Sequence, residues 1–292
     1  MAVYPPITIP APPVERTTGG LYAAANFPEL PGEGNQWENG VQYENETCAE
    51  PGGWAVVCID DEDRADKVPT LTLPVVSGTP FVAYLGIQCA LVGHSLEEYE
   101  RMARNALDLC EQKAVERAFW TGDLGNTPFL AAGVYDVNTN PDGVVILGPD
   151  AGVTPLSVVQ GIAALEQYLG DNYCGVGVLH APRAVAPFAA ENTQIVGSGN
   201  RMTTVLGTRW AFGAGYSVNT GPTGVEAADG SAWIYATGQV NILRSDIWLQ
   251  PGALEQAFNR LTNDAELYAE RAFVITTECV KAAVRVRLDC DC

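Results

Sequence analysis

Residues 95–122 read SLEEYERMARNALDLCEQKAVERAFWTG, and this stretch decides the fold. Ser95 is a good helix N-cap, because its hydroxyl accepts a backbone N–H that has no partner in the first turn. Glu97 and Glu98 put negative charge at the positive end of the helix dipole. Leu96, Tyr99, Met102, Ala103, Ala106, Leu107, Cys110, Ala114 and Ala118 then recur at three- and four-residue spacing, the period of an amphipathic helix. Neither glycine nor proline interrupts before Gly122. The spacing predicts a helix of about 25 residues, about 38 Å long at 1.5 Å per residue. That exceeds the usual globular helix, so it has to cross a large body.

The chain before this helix has another character. Residues 1–95 hold 11 of the 19 prolines and set 12 acidic residues against 3 basic ones. Pro5, Pro6, Pro10, Pro12 and Pro13 exclude helix and central strand, so the opening reads as an extended arm. Its apolar side chains, Tyr4, Ile7, Ile9 and Val14, favour an arm that lies on a neighbour. Trp54–Ile59, Thr70–Leu73 and Val82–Ile87 read as strands bounded by turns. Asp60-Asp61-Glu62-Asp63 reads as a solvated loop. Two strands are not stable alone in water, so a long hairpin here needs another subunit to rest on.

After the helix the pattern is mixed. Thr154 as cap with Pro155 at the first position predicts a helix to Leu169. Val176–Leu179 reads as a buried strand, and Pro182 opens a helix carrying Val185, Phe188 and Ala189. Gly197–Asn200 reads as a loop. Strands are expected at Arg209–Tyr216, Ala232–Ala236, Val240–Leu243, Ala265–Cys279 and Lys281–Leu288. The fold class is α+β.

Composition limits function. Apolar residues make up 47% of 292, enough for substantial cores in one large domain or two smaller ones. The net charge of −19 repels nucleic-acid backbone and anionic membrane, and the only lysines, Lys67, Lys113 and Lys281, form no phosphate-tracking cluster. The longest apolar run, Pro80–Gly93, is too short to span a bilayer. The opening has neither a basic nor an apolar signal-peptide region, which places synthesis in the cytosol.

Motifs for chemistry are nearly missing. No serine sits in a G-x-S-x-G elbow and no lysine in a phosphate-binding loop. Gly175-Val176-Gly177 and Gly213-Ala214-Gly215 are incomplete glycine patterns that turns explain. Of the two histidines, His94 precedes the helix cap, and His180 ends an apolar strand as a satisfied structural residue. Glu97, Glu100, Glu111 and Glu116 offer carboxylate pairs on the long helix but read as surface charges. The expectation is a protein without catalytic residues, cofactor or resident metal. Asn45-Glu46-Thr47 is a glycosylation sequon only in a secretory context.

Eight cysteines include no CxxC pair. Plain thiols are the default, and Cys110 reads as a buried one. Cys48 and Cys58 flank the Pro51-Gly52-Gly53 turn, and Cys290 and Cys292 end the sequence. These four allow a disulfide formed after release into an oxidising medium, or a zinc site of unusual spacing.

Several stretches, in order, resemble one family. Pro80–Tyr84 followed by the helix ending Val115-Glu116-Arg117-Ala118-Phe119-Trp120-Thr121-Gly122 is similar to the hairpin-to-spine-helix passage of tailed-phage capsid proteins of the Hong Kong 97 type. His180–Arg183, Thr203–Thr208 and Gly213–Tyr216 resemble the axial domain in phages of actinobacterial hosts, and Ala232–Gly238 the strand that follows it. Asn263–Arg271 resembles the return to the peripheral domain. These pieces span most of residues 80–288.

The resemblance implies an N-terminal arm (1–40), an extended hairpin loop (41–94), a peripheral domain with the spine helix (95–150, helix 95–121), an axial domain (151–250) and a return (251–292). It implies hexamers and pentamers in an icosahedral head around double-stranded DNA, assembled in the host cytoplasm. Scaffold, portal and decoration proteins are further implied partners, without sequence-specific DNA binding or membrane. Tyr4, Ile7, Ile9, Trp54, Val56, Phe81 and Tyr84 become the expected inter-subunit contacts. Lys67 aligns with no crosslinking position, and the length leaves no room for a large fused scaffolding segment. An encapsulin-like shell is the nearest alternative, disfavoured by the proline-rich opening. A soluble α/β enzyme is the second, disfavoured by the scarcity of histidine and lysine.

Overall fold

The computed structural model describes residues 12–29, 36–48, 73–90, 95–252, 254–259 and 264–289. In chain order the elements are α1 (Leu21–Ala24), β1 (Val41–Glu44), β2 (Val75–Gly78), β3 (Pro80–Ala90), α2 (Leu96–Thr121), β4 (Val145–Ile146), α3 (Val158–Asn172), β5 (Val178–Pro182), α4 (Val185–Glu191), β6 (Arg209–Gly213), β7 (Ser231–Thr237), β8 (Val240–Arg244), β9 (Trp248–Gln250), α5 (Leu254–Ala257), β10 (Phe258–Asn259), β11 (Asp264–Thr277) and β12 (Lys281–Arg287).

The long helix forms as its sequence directs. Ser95 and Glu98 close a reciprocal capping box, each side chain bonding the other's backbone N–H. Gly122 ends the helix at φ 70°, a left-handed conformation that a side chain disfavours. The buried face differs from the expected one. Tyr99, Ala103, Leu107, Glu111, Val115, Glu116, Ala118, Phe119 and Trp120 are buried, whereas Cys110 is exposed. The buried line runs from Leu107 four residues on to Glu111, which turns the neighbouring Cys110 outward.

Two five-stranded sheets flank this helix. The first is built around β11. One edge of β11 pairs antiparallel with β3 from Asp264↔Ala90 to Val274↔Pro80. The other edge takes three short strands end to end, β10, β9 and β8, all antiparallel. Tyr99, Ala103 and Leu107 of α2 pack on this sheet against Leu267 and Ala269. The second sheet has the order β4-β12-β7-β5-β6. On one face α3 and α4 bury Ile162, Leu165 and Val185 against Leu179, Trp210, Ile234 and Val284. The other face receives the last turns of α2, where Trp120 meets Tyr216 and Tyr235 at 4.9 Å between ring centroids. Core clusters on both faces explain why every β7 residue is buried.

The chain crosses between the sheets twice at one place. Gly238 and Gln239 connect β7 to β8, and Glu278–Val280 connect β11 to β12. The crossings hold each other through Gly238 N–H to Val280 O and Glu278 N–H to Gln239 O, both 3.2 Å. A two-stranded ribbon, β1 with β2, leaves from this junction, and the Tyr43 hydroxyl lies 3.2 Å from that of Thr276.

Several expectations shift. The helix expected from Pro155 begins at Val158, with Ser157 and Gln160 as its capping box. Leu156 is held extended between Arg285 and Arg287 of β12, so no helix starts before it. Pro182 ends β5 instead of opening a helix, and β6 stops at Gly213, before a 3-10 turn at Gly215–Val218. The strand at Trp54–Ile59, the Asp60–Asp63 run, His94 and residues 70–72 lie outside the described residues. No helix among the described residues is long and apolar enough to cross a membrane.

Candidate functional site

The chain's chemistry concentrates where α2 passes from one sheet to the other. Glu111 and Glu116, read from sequence as surface charges, are 1% and 0% exposed. A buried carboxylate survives only with partners for its oxygens. Glu111 has cationic ones. Arg271 of β11 donates to both its oxygens at 2.7 and 2.8 Å, and Arg244 of β8 approaches at 3.3 Å. The Tyr22 hydroxyl donates to it at 3.3 Å. Burial, and next the Glu111 charge, push the Tyr22 phenol far up, so it stays a donor. The Arg244 guanidinium also stacks over Phe27, 4.9 Å from the ring centroid.

Among the described residues, Glu116 has no cation as a hydrogen-bond partner. Its Oε1 accepts from Leu21 N–H at 2.9 Å and from the Gln112 amide at 2.8 Å, and its Oε2 accepts from Gly215 N–H at 2.9 Å. Desolvation raises its pKa despite these bonds. Gly215 is needed for the approach: a Cβ there would lie 2.3 Å from Lys113 O and 2.6 Å from Arg117 N, both α2 backbone. One carboxylate therefore ties α2 to the N-terminal segment and to the second sheet's 3-10 turn. The segment before Leu21 follows α2, with Arg16 on Asp108.

His180 is 0% exposed, between the Tyr216 hydroxyl (3.1 Å) and Thr237 (2.9 Å). Burial depresses its pKa to about 3, so it is a neutral structural residue, as its sequence context indicates. At the junction, Glu278 accepts from the Thr47 hydroxyl at 2.7 Å and from the Tyr173 hydroxyl. Burial, then that bond, push Tyr173 up to about 12. Among the described residues no cluster of three or more His, Cys, Asp or Glu could hold a metal. The arrangement clamps segments together.

The sequence-derived site residues fare unevenly. Tyr4, Ile7, Ile9, Trp54, Val56, Cys58, Cys290 and Cys292 lie outside the described residues. Cys48 is joined to Cys279 (Cα–Cα 6.2 Å), a partner outside its grouping with Cys58, Cys290 and Cys292. The junction, not the Pro51 turn, brings these two together. Phe81 is also corrected as a contact residue. It is 5% exposed and stacks on Phe273 in the chain's own core, because β3 alternates and 81 points inward. Tyr84, at 67%, points outward. Sequence reasoning missed Glu111, Glu116, Arg271, Arg244 and Tyr22. The one available signal was the four-residue step Tyr99, Ala103, Leu107, which lands next on Glu111.

No protein-family model matches this sequence, and no curated protein matches it significantly. Solved structures do. The chain is similar to one titled "Capsid of empty GTA particle computed with C5 symmetry", with a TM-score of 0.57, 13% identity, and 98% of this chain and 95% of that one covered. It is similar to a chain of Mycobacterium phage Bobi at TM-score 0.56 and 12% identity, covering 99% and 96%. A chain of Mycobacterium phage Adephagia gives 0.53 and 12%, covering 96% and 93%. At these identities the likeness defines the fold: the chain has the α+β fold of phage capsid chains. Within it, the long helix between two sheets is the spine helix that the sequence resemblance implies.

Proposed function

We propose that this chain is the major capsid protein of a tailed phage. It assembles as hexamers and pentamers into an icosahedral head around double-stranded DNA. The observation that carries this reading is end-to-end similarity to a capsid chain, with 98% of this chain covered. The role is structural, and the clamps at Glu111 and Glu116 support it by fixing how the N-terminal segment leaves the body. The proposal retains the division into arm (1–40), extended loop (41–94), peripheral (95–150), axial (151–250) and returning (251–292) regions. It retains Tyr4, Ile7, Ile9, Trp54, Val56 and Tyr84 as inter-subunit contacts, with assembly in the host cytoplasm alongside scaffold and portal proteins. The net charge of −19 suits a shell whose inner surface does not grip its genome; a strongly positive inner surface in the assembled particle would contradict that link.

Negative-stain microscopy with sedimentation of the full chain tests the reading. Uniform closed shells, or five- and six-membered rings, are expected. A monomer or small dimer that never assembles, with its virion partners present, overturns it. Nuclease-protected DNA inside distinguishes a viral head from a shell loaded with protein cargo.

A further inference from the structure

We propose that the Cys48–Cys279 bond is a delayed covalent lock: the chain folds and assembles as a dithiol, and the bond forms once the particle meets dioxygen outside the host. Its timing rests on the proposed shell function. Its geometry does not. Cys48 ends the described part of the segment that leaves β1, and Cys279 sits in the β11–β12 crossing, 231 residues away. Both are held without the bond. The Thr47 hydroxyl donates to Glu278, Cys174 N–H donates to Thr47 O at 3.3 Å, and the Asn45 amide reaches the Cys279 sulfur at 3.8 Å. Asn45 is itself buried and turns the backbone by accepting Thr47 N–H at 2.7 Å. These contacts bring the two Cα atoms to 6.2 Å, within the span a disulfide bridges.

Access and chemistry agree. Cys279 is exposed and Cys48 half-buried, so an oxidant reaches them in the folded chain. Two thiols become one disulfide, with two protons and two electrons passing to dioxygen, which leaves as hydrogen peroxide. A reducing cytosol keeps the pair as thiols. The lock fastens the turn after β1 to the place where both sheets exchange strands, and closing so long a loop restricts the unfolded chain strongly.

The full chain, expressed in a bacterial cytosol, is quenched with N-ethylmaleimide at lysis and compared with unquenched protein held in air. Expected are Cys48 and Cys279 both alkylated at lysis, alongside the free Cys110 and Cys174, and after air a peptide linking Cys48 to Cys279 within one chain. The oxidised wild type should melt about 4–10 °C above the reduced one, a difference absent from Cys48→Ser and Cys279→Ser. A link already complete at lysis, no link after air, a link between chains, or a melting difference that persists in both variants overturns the proposal. The wild-type comparison stands even where a variant fails to fold. Microscopy reports the shell separately: a linked chain that never assembles keeps the lock and removes the shell reading.

Discussion

Glu111 and Glu116 lie five residues apart on one helix, both buried, and the protein treats them in opposite ways. On the first-sheet side, Glu111 meets arginines from β11 and β8. On the second-sheet side, Glu116 meets, among the described residues, backbone N–H groups and an amide. The first is a charge neutralised across strands. The second is a charge kept in a dry place to hold two backbone segments that have no side chain to offer. Position within a fold, more than residue type, sets what a carboxylate does.

Breaking the Glu111 side should have the largest effect. Glu111→Ala removes the carboxylate that Arg271 bonds through both oxygens and leaves that half-buried guanidinium to Asp108 at 3.5 Å; the expected loss is about 3–5 kcal/mol in urea unfolding. If it costs no more than a surface change, the neutralised-charge half of the contrast is gone. Gly215→Ala comes next, because its Cβ collides with α2 backbone. A loss of about 3 kcal/mol is expected, together with loosening of the N-terminal segment seen as faster hydrogen exchange at Leu21. Exchange unchanged at Leu21 would show that the two segments are not held by one group.

Glu116→Gln sharpens the comparison through pH. Glu116 has a raised folded pKa, so its contribution is fullest below the ordinary glutamate value of 4.5 and fades as pH rises through the folded one. His180 runs the other way: its contribution is complete above 6.5 and is lost as pH falls toward about 3. The wild type should therefore show opposed slopes in stability. The variant should gain steadily from pH 4.5 to 6.5 and lose about 1–3 kcal/mol relative to the wild type at pH 7, since one N–H loses its acceptor. Urea midpoints across that range decide it; an unaltered slope would mean that Glu116 does not titrate there. Arg16→Ala, where an exposed arginine meets the half-buried Asp108, should change stability by less than about 0.5 kcal/mol.

These contrasts also mark what was legible in the sequence. The spine helix was, from Ser95 to Gly122, because caps and period are local signals. So were the cores of β3, β7, β8, β11 and β12, where apolar runs bounded by turns suffice. The β1–β2 ribbon was not, since Val41-Gln42-Tyr43-Glu44 is too short to declare a period. The buried carboxylates were misread because their partners are far along the chain, Arg271 at 160 residues and Arg244 at 133. A glutamate reads as solvated until the arginine that meets it is known. The cysteine pairing failed in the same way, over 231 residues.

β11 has a mechanical consequence. Its 14 residues span about 46 Å, bonded to β3 along one edge and to β10, β9 and β8 along the other. A pull along its axis loads those hydrogen bonds in shear, all together, whereas a pull across the sheet would peel them singly. Stress carried along this strand is thus shared over its whole length.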